Sequence, residues 1–423
     1  MIEHPYFKNH YLNDGKLWVD GEHRFLKTGK PLRNFADAFE VEQLIRDLGL
    51  IARKGFNNIS LNCYWHHFNP SGNGTIEVSL EPLRELVAEI RAHGMFATLS
   101  VETYGVGGGQ IPDGFWSDNP DEIAVNHEGK TVADTEYGYG AKVPSLFSSR
   151  YLASSRSYMR NLVRGLGAEN FLYFETTVEP QFMGAQWLDY SSSAKSAYEE
   201  WIDRGRVTDA IPFPAEFPAD ETFRLSEKWN LFRAQTLADW INEDARALRA
   251  GAGNAPLWIA SDYLDAESFT ESQRCGDAVA LLRGMSEIQI VQINWSWCNI
   301  DRKPNLRAYR RVRQVMEETG RDWAVTEHMT INGADYHESD MKGLLMNTIE
   351  NGSHFGWEFV DIAADRDSPS TKPNDVLPGD FKPQHFAVYD ENWEPKAPMK
   401  VVDEEWEVWM QMVQQSLHSE VSE

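Results

Sequence analysis

The chain has 423 residues, 42% of them hydrophobic, and a formal net charge of −25 from 40 Lys+Arg against 65 Asp+Glu. An acidic surface repels polyanions, which argues against nucleic acid, anionic membranes and heavily sulfated glycans as partners. No apolar run reaches the ~20 residues of a membrane-spanning helix, and Cys63, Cys275 and Cys298 form neither a disulfide framework nor a zinc-ligand spacing.

The opening Met1-Ile-Glu-His-Pro-Tyr-Phe lacks a basic segment followed by an apolar one, so the expectation is no secretory signal and a cytoplasmic location. Asn-x-Ser/Thr triplets at Asn58, Asn73, Asn294 and Asn351 are weak glycan signals, since two fall in or beside expected core strands. The oligomeric state is open between a monomer and a homo-oligomer.

Short β-branched or apolar runs alternate with amphipathic stretches, the signature of βαβ units and a parallel sheet. A hairpin over about 15–31, with Asp-Gly and Thr-Gly-Lys turn chemistry, leads to strand one near 32–36 and a helix over 41–54. Strand two is 58–63, followed by a helix at 80–93 and strand three at 95–101. A Gly-, Asp- and Tyr-rich loop, 102–144, precedes a helix at 149–166 and strand four at 171–176. An insertion with little periodicity spans about 181–225 and gives way to a long helix, 226–250. Strand five (257–260), a helix (274–283), strand six (288–294) and a helix (305–318) follow. Strand seven (323–325), a helix (339–351), strand eight (354–357), a variable loop (362–381) and a last helix (401–416) complete the chain.

Eight such units over 1–423 predict one catalytic domain, an α/β (β/α)₈ TIM barrel with long βα-loop insertions. An open doubly wound sheet would carry a Gly-rich phosphate turn after its first strand. Gly107-Gly-Gly follows strand three with no helix start behind it, so it reads as a loop. In a barrel the chemistry sits at the C-terminal strand ends.

Two strand ends carry the strongest candidates. Phe171-Leu-Tyr-Phe-Glu-Thr-Thr-Val-Glu-Pro places Glu179 at the end of strand four, and Trp323-Ala-Val-Thr-Glu-His-Met places Glu327 at the end of strand seven. Glycoside hydrolysis needs such a pair, one carboxylic acid to protonate the leaving oxygen and one carboxylate to attack. Glu175 lies inside strand four and reads as a paired interior group. Glu102 and Asp262 end strands three and five and read as sugar contacts, and any of these three carboxylates could displace a member of the pair.

Aromatic residues recur at the same ends: Tyr64 and Trp65, Tyr104 and Trp116, Tyr263, Trp295 and Trp297, and Trp357. Sugar rings pack their C–H faces on such rings while their hydroxyls seek polar partners, although most single Trp residues are core. His66 and His67 are adjacent and so point apart on a strand, which disfavours a shared metal. One of them, with His66 preferred, is expected to bond a sugar hydroxyl. No metal and no cofactor is expected.

Several longer phrases carry a resemblance: Phe25-Leu-Lys-Thr-Gly-Lys-Pro-Leu-Arg, Gly55-Phe-Asn-Asn-Ile-Ser-Leu-Asn-Cys-Tyr-Trp-His-His-Phe-Asn-Pro, Phe115-Trp-Ser-Asp-Asn-Pro-Asp-Glu-Ile-Ala-Val-Asn-His-Glu-Gly-Lys and Tyr389-Asp-Glu-Asn-Trp-Glu-Pro-Lys-Ala-Pro-Met-Lys-Val-Val. The chain resembles clan A of the glycoside hydrolases, nearest to the family 42 β-galactosidases. The resemblance implies Glu179 as acid/base, Glu327 as nucleophile and Arg33 on strand one as the residue holding the nucleophile carboxylate. It departs at Val178, where the clan carries an Asn that bonds the sugar 2-hydroxyl. Asn294, Asn62 or His66 would have to replace that contact, or the substrate would lack it.

The reading is therefore a retaining β-glycoside hydrolase of the β-galactosidase or β-glucosidase kind, with an oligosaccharide or glycoside as its carbohydrate substrate. Its alternatives are a non-catalytic carbohydrate-binding barrel, suggested by Val178, and a barrel hydrolase or lyase of another class using Glu102, His66 or Asp262.

Overall fold

The computed structural model describes residues 1–104, 111–134, 141–182, 187–217, 220–265, 272–294, 306–329, 338–363 and 387–420. Four short strands, β1 (Ile2–Glu3), β2 (His10–Asn13), β3 (Lys16–Val19) and β4 (Glu22–Arg24), form an antiparallel sheet in sequential order. Next come β5 (Leu26–Lys30), β6 (Asn58–Tyr64) and β7 (Phe96–Glu102), a small antiparallel pair β8 (Ala133–Asp134) and β9 (Ala141–Lys142), and then β10 (Tyr173–Glu175), β11 (Ile259–Tyr263), β12 (Ile290–Asn294), β13 (Ala324–Met329) and β14 (Gly356–Val360). The eight parallel strands β5, β6, β7 and β10 to β14 close into a barrel in chain order, β14 pairing with β5. Helices connect them, including Ala38–Arg53, Glu81–Ala92, Ser149–Leu166, Glu227–Gly251, Leu306–Thr319, Glu338–Glu350 and Ala397–Glu420. This is the expected (β/α)₈ barrel.

The first strand differs from expectation. The barrel uses Leu26–Lys30, inside the run read as a hairpin over 15–31, and not 32–36. Its two lysines and glycine hide it from a hydrophobicity reading, yet alternation seats every residue. Leu26 joins the apolar floor of the barrel. Lys27 turns outward to Asp403 (2.9 Å) and the Lys54 carbonyl (2.8 Å). Thr28 receives a hydrogen bond from Asn58 (3.0 Å). A Cβ on Gly29 would meet the Ile362 side chain at 2.4 Å, so no larger residue fits there without displacing it. Lys30 points inward.

The inward residues form layers. At the N-terminal end Leu26, Tyr173, Ala260, Ile290 and Ala324 pack with Leu12 and Leu17 of the N-terminal sheet, which thereby covers that end. Above them lies a buried ionic group: Lys30 Nζ is 2.6 Å from Glu175 Oε2 and 3.1 Å from Glu358 Oε1, with all three side chains 1% exposed. Outward residues such as Ile59, Leu61, Leu99, Val101, Val291 and Phe359 pack against the helices in the main core.

The insertion expected to lack periodicity builds a core of its own. Trp187, Tyr190, Tyr198, Trp201, Phe223, Trp229 and Phe232 cluster there, around the helix Ser192–Trp201 capped by Ser191. Its order comes from aromatic packing rather than from a helical stripe.

Lys30 is the cation on which this interior depends. Truncating Lys30→Ala leaves two buried carboxylates uncompensated and is expected to cost about 3–5 kcal/mol, read as a lowered urea midpoint. A Lys30→Met, Glu175→Gln pair should recover part of that loss, because it removes charge from both sides.

Candidate active site

Strand four ends in an unusual way. The last sheet bond is Thr176 N–H to the Ala260 carbonyl, 3.1 Å. Beyond it the main chain finds side-chain acceptors on both neighbouring strands. Val178 N–H donates to Glu102 Oε2 (3.0 Å) at the end of β7, and Glu179 N–H donates to Asp262 Oδ2 (2.9 Å) on β11. Glu179 adopts φ 51°, a left-handed conformation that costs an L-residue roughly 1–2 kcal/mol and turns the side chain across the mouth. There Oε1 accepts from Asn294 Nδ2 of β12 (2.7 Å), and Gln181, itself held by Arg274 (2.9 Å), approaches Oε2 at 3.5 Å. Glu179 is buried.

Around it the mouth gathers Glu102, Asp262, Asn294, Asn62 and Tyr64, all expected from sequence. Asn62 Nδ2 donates to the Tyr64 hydroxyl (3.2 Å), and burial together with Glu102 pushes that phenol up. Burial likewise raises Glu102, against the pull of Lys30 and of the Val178 amide. Burial lifts Asp262 to about 6, with His328 and Lys30 drawing it back. Asp262 Oδ1 and Asn62 Oδ1 are buried without a hydrogen-bond partner among the described residues.

Beneath the mouth lie groups the sequence did not single out. His328 Nδ1 sits 2.8 Å from Glu358 Oε1, and Gln292 donates to Glu175 (3.2 Å). Alternation along β13 and β14 is the signal that would have found His328 and Glu358. Among the described residues no group of His, Cys, Asp or Glu could hold a metal ion.

The structure does not bring Glu327 to this mouth. The expected strand seven stops at 325, which would leave Glu327 on a loop. β13 instead runs to Met329, so Glu327 obeys strand alternation. Ala324 faces the barrel floor, Val325 the helix layer and His328 the interior. Glu327 turns outward, where Tyr309 of the helix Leu306–Thr319 donates to its Oε1. Oε2 has no partner among the described residues, and burial drives the carboxyl well above its ordinary value.

Other expected contacts also lie away from the mouth, Trp357 and Tyr263 by the same alternation. Trp357 is the second residue of β14, and its ring packs on Phe25, Trp406 and Trp409 outside the barrel. Tyr263 points out and donates to Asp265 (2.8 Å). Trp65 lies among Phe115, Tyr151 and Tyr158, Tyr104 against Trp240 and Trp116 against Phe115, all within the main core. Arg33 stands near Asp47 (4.0 Å) and beside Asp361, whose carboxyl burial raises to about 7 against its pull. It is therefore not a holder of Glu327. His66, half-buried, and His67 lie on the short helix Trp65–Phe68 and not on a strand, so they do not point apart: their rings are 4.0 Å from each other. Trp295 and Trp297 lie outside the described residues.

Solved structures share the architecture. A catalytic mutant of a GH42 β-galactosidase from G. stearothermophilus superposes with a TM-score of 0.65 at 15% identity, over 92% of this chain and 57% of that one. The catalytic domain of a β-amylase from Paenibacillus polymyxa gives 0.62 at 11%, over 90% and 97%. An exo-β-1,4-mannosidase from Opitutaceae bacterium strain TAV5 gives 0.56 at 14%, over 98% and 63%. The likeness is one of fold. The chain spans less than two thirds of the galactosidase and mannosidase chains. No protein-family model and no curated protein matches it.

Burial, together with Glu358 close by, raises Glu175 to about 7, with Lys30 opposing. A carboxyl raised on folding contributes stability that is present below its unfolded value and lost as pH rises through the folded one. The stability of the wild type relative to Glu175→Gln should therefore decline between about pH 4.5 and 7, read by calorimetry at fixed ionic strength. A difference that stays flat across that window would mean that Glu175 is ionised throughout. Lys30, Glu358, Glu102, Asp262 and His328 face the same interior, so the step read belongs to the coupled group and not to Glu175 alone.

Proposed function

We propose that the chain is a retaining β-glycoside hydrolase acting on an uncharged oligosaccharide or glycoside, with Glu179 as its acid/base. The observation that carries this is the buried Glu179 carboxyl fixed across the barrel mouth by Asn294 at 2.7 Å, at the strand end where barrels place their chemistry. The glycosidase fold supports it. Asn294 holds the acid in a mouth that has Val178, and not an amide side chain, at the preceding position.

Double displacement also needs an ionised carboxylate to attack. Glu327 is turned into the helix layer, where Tyr309 donates to its Oε1 and burial raises its carboxyl, so it does not face the mouth in this geometry. We assign the attacking role to Asp262. It faces the mouth and keeps one buried oxygen uncommitted among the described residues. Its value of about 6 leaves it ionised above that pH.

The test is a panel of aryl β-glycosides (galactoside, glucoside, mannoside, xyloside, fucoside), with the product anomer followed by NMR. The wild type should cleave at least one with retention. Asp262→Asn should lose about 10²–10⁴ in kcat/KM on every substrate cleaved, and Glu179→Gln about as much on glycosides with a poor leaving group, while Glu327→Gln stays within about tenfold because its side chain lies in the helix layer, away from the mouth. A dead Glu327→Gln beside an active Asp262→Asn would return the nucleophile to strand seven. Sugar binding with no cleavage by the wild type would make the barrel a binding protein.

A further inference from the structure

Glu102 is buried, 1% exposed, and was expected to contact sugar. Its oxygens are already engaged by the protein. Oε1 accepts from Ser100 Oγ (2.9 Å), and Oε2 accepts from Thr177 Oγ1 (3.2 Å) and from Val178 N–H (3.0 Å). Thr177 Oγ1 in turn accepts from Tyr104 N–H (3.2 Å). These bonds tie the ends of β7 and β10 together where their backbone ladder has run out, its last register being Glu175 with Ser100.

The chain needs such a tie. Past Thr176 the amides of Val178 and Glu179 are bonded by side chains, one on each flanking strand. Buried amides require a partner, and the left-handed φ of Glu179 holds only if its surroundings fix it. We infer that Glu102 is a positioning residue: its carboxylate grips the Thr177–Val178 segment and so aims Glu179 across the mouth. Asp262 performs the matching grip on the Glu179 amide and keeps an oxygen for the mouth. Glu102 acts through the backbone and touches no substrate.

This inference rests on Glu179 being the acid/base, and the experiment separates the two. Amide hydrogen exchange of the peptide over 176–180 reads the grip without any activity. Kinetics with a poor and an activated leaving group read its consequence, because an activated aryl group departs without a proton and tolerates a misplaced acid. Glu102→Ala should speed exchange in that peptide. It should also lower kcat/KM on the poor leaving group about 100-fold, the scale of a displaced catalytic group, and leave kcat/KM on the activated substrate nearly unchanged. Glu102→Gln should behave close to wild type, since its amide oxygen can accept from Val178 and Thr177 while the Ser100 hydroxyl turns to accept from its NH₂. Thr177→Val, which removes one strand of the grip, should show a smaller effect of the same sign and serves if Glu102→Ala does not fold. Unchanged exchange in Glu102→Ala overturns the inference. So does a rise in KM common to all leaving groups, or a Glu102→Gln variant as impaired as Glu102→Ala. A fully active Glu179→Gln overturns the functional reading instead, and the exchange result still judges the grip.

Discussion

A single ammonium group organises the interior of this barrel. Lys30 reaches Glu175 on the far side and Glu358 next to it, and its charge is felt as far as Glu102 and Asp262. A lone buried carboxylate would take up a proton rather than remain charged without water. One cation shared among several acids leaves each partly compensated. Burial lifts Glu175 to about 7 and Asp262 to about 6, and the shared cation draws both back. The mouth above inherits it: His328, Lys30 and the Glu179 amide all draw Asp262 down against its burial.

Alternation within the strands then decides which residues take part. A side chain on a barrel strand faces either the interior or the helix layer, and its place along the paired strand settles which. His328 and Glu327 are neighbours on β13, yet one joins the ionic interior and the other meets Tyr309 beneath a helix. Tyr263 and Asp262 divide in the same way on β11. The exception is Glu179, which lies beyond the ladder of β10 and escapes the rule by a left-handed turn that two flanking carboxylates hold in place.

Several of the strand-end aromatic residues have a different purpose from the one their spacing suggests. Trp65, Trp116, Tyr104 and Trp357 fill the space between barrel and helices, and Trp187, Trp201 and Trp229 build the core of the insertion after strand four. Among the described residues the mouth is polar and hydrogen-bonding, made of carboxylates, amides and a phenol.

The sequence by itself determined the barrel, because alternating strand and helix patterns over the whole chain admit few other architectures. It also located Glu179, Glu102, Asp262 and Asn294 at strand ends and flagged Glu175 as an interior partner. It could not show that Leu26–Lys30 is a strand, since the charges of Lys27 and Lys30 are satisfied by Asp403, Glu175 and Glu358, residues distant in the chain. Nor could it orient Glu327 or Trp357, because a strand boundary wrong by two to four residues converts a loop side chain into one fixed by alternation. Which carboxylates share the mouth was decided only when the closed barrel set the register of eight strands, for side-chain direction is a property of the paired sheet and not of the run of residues.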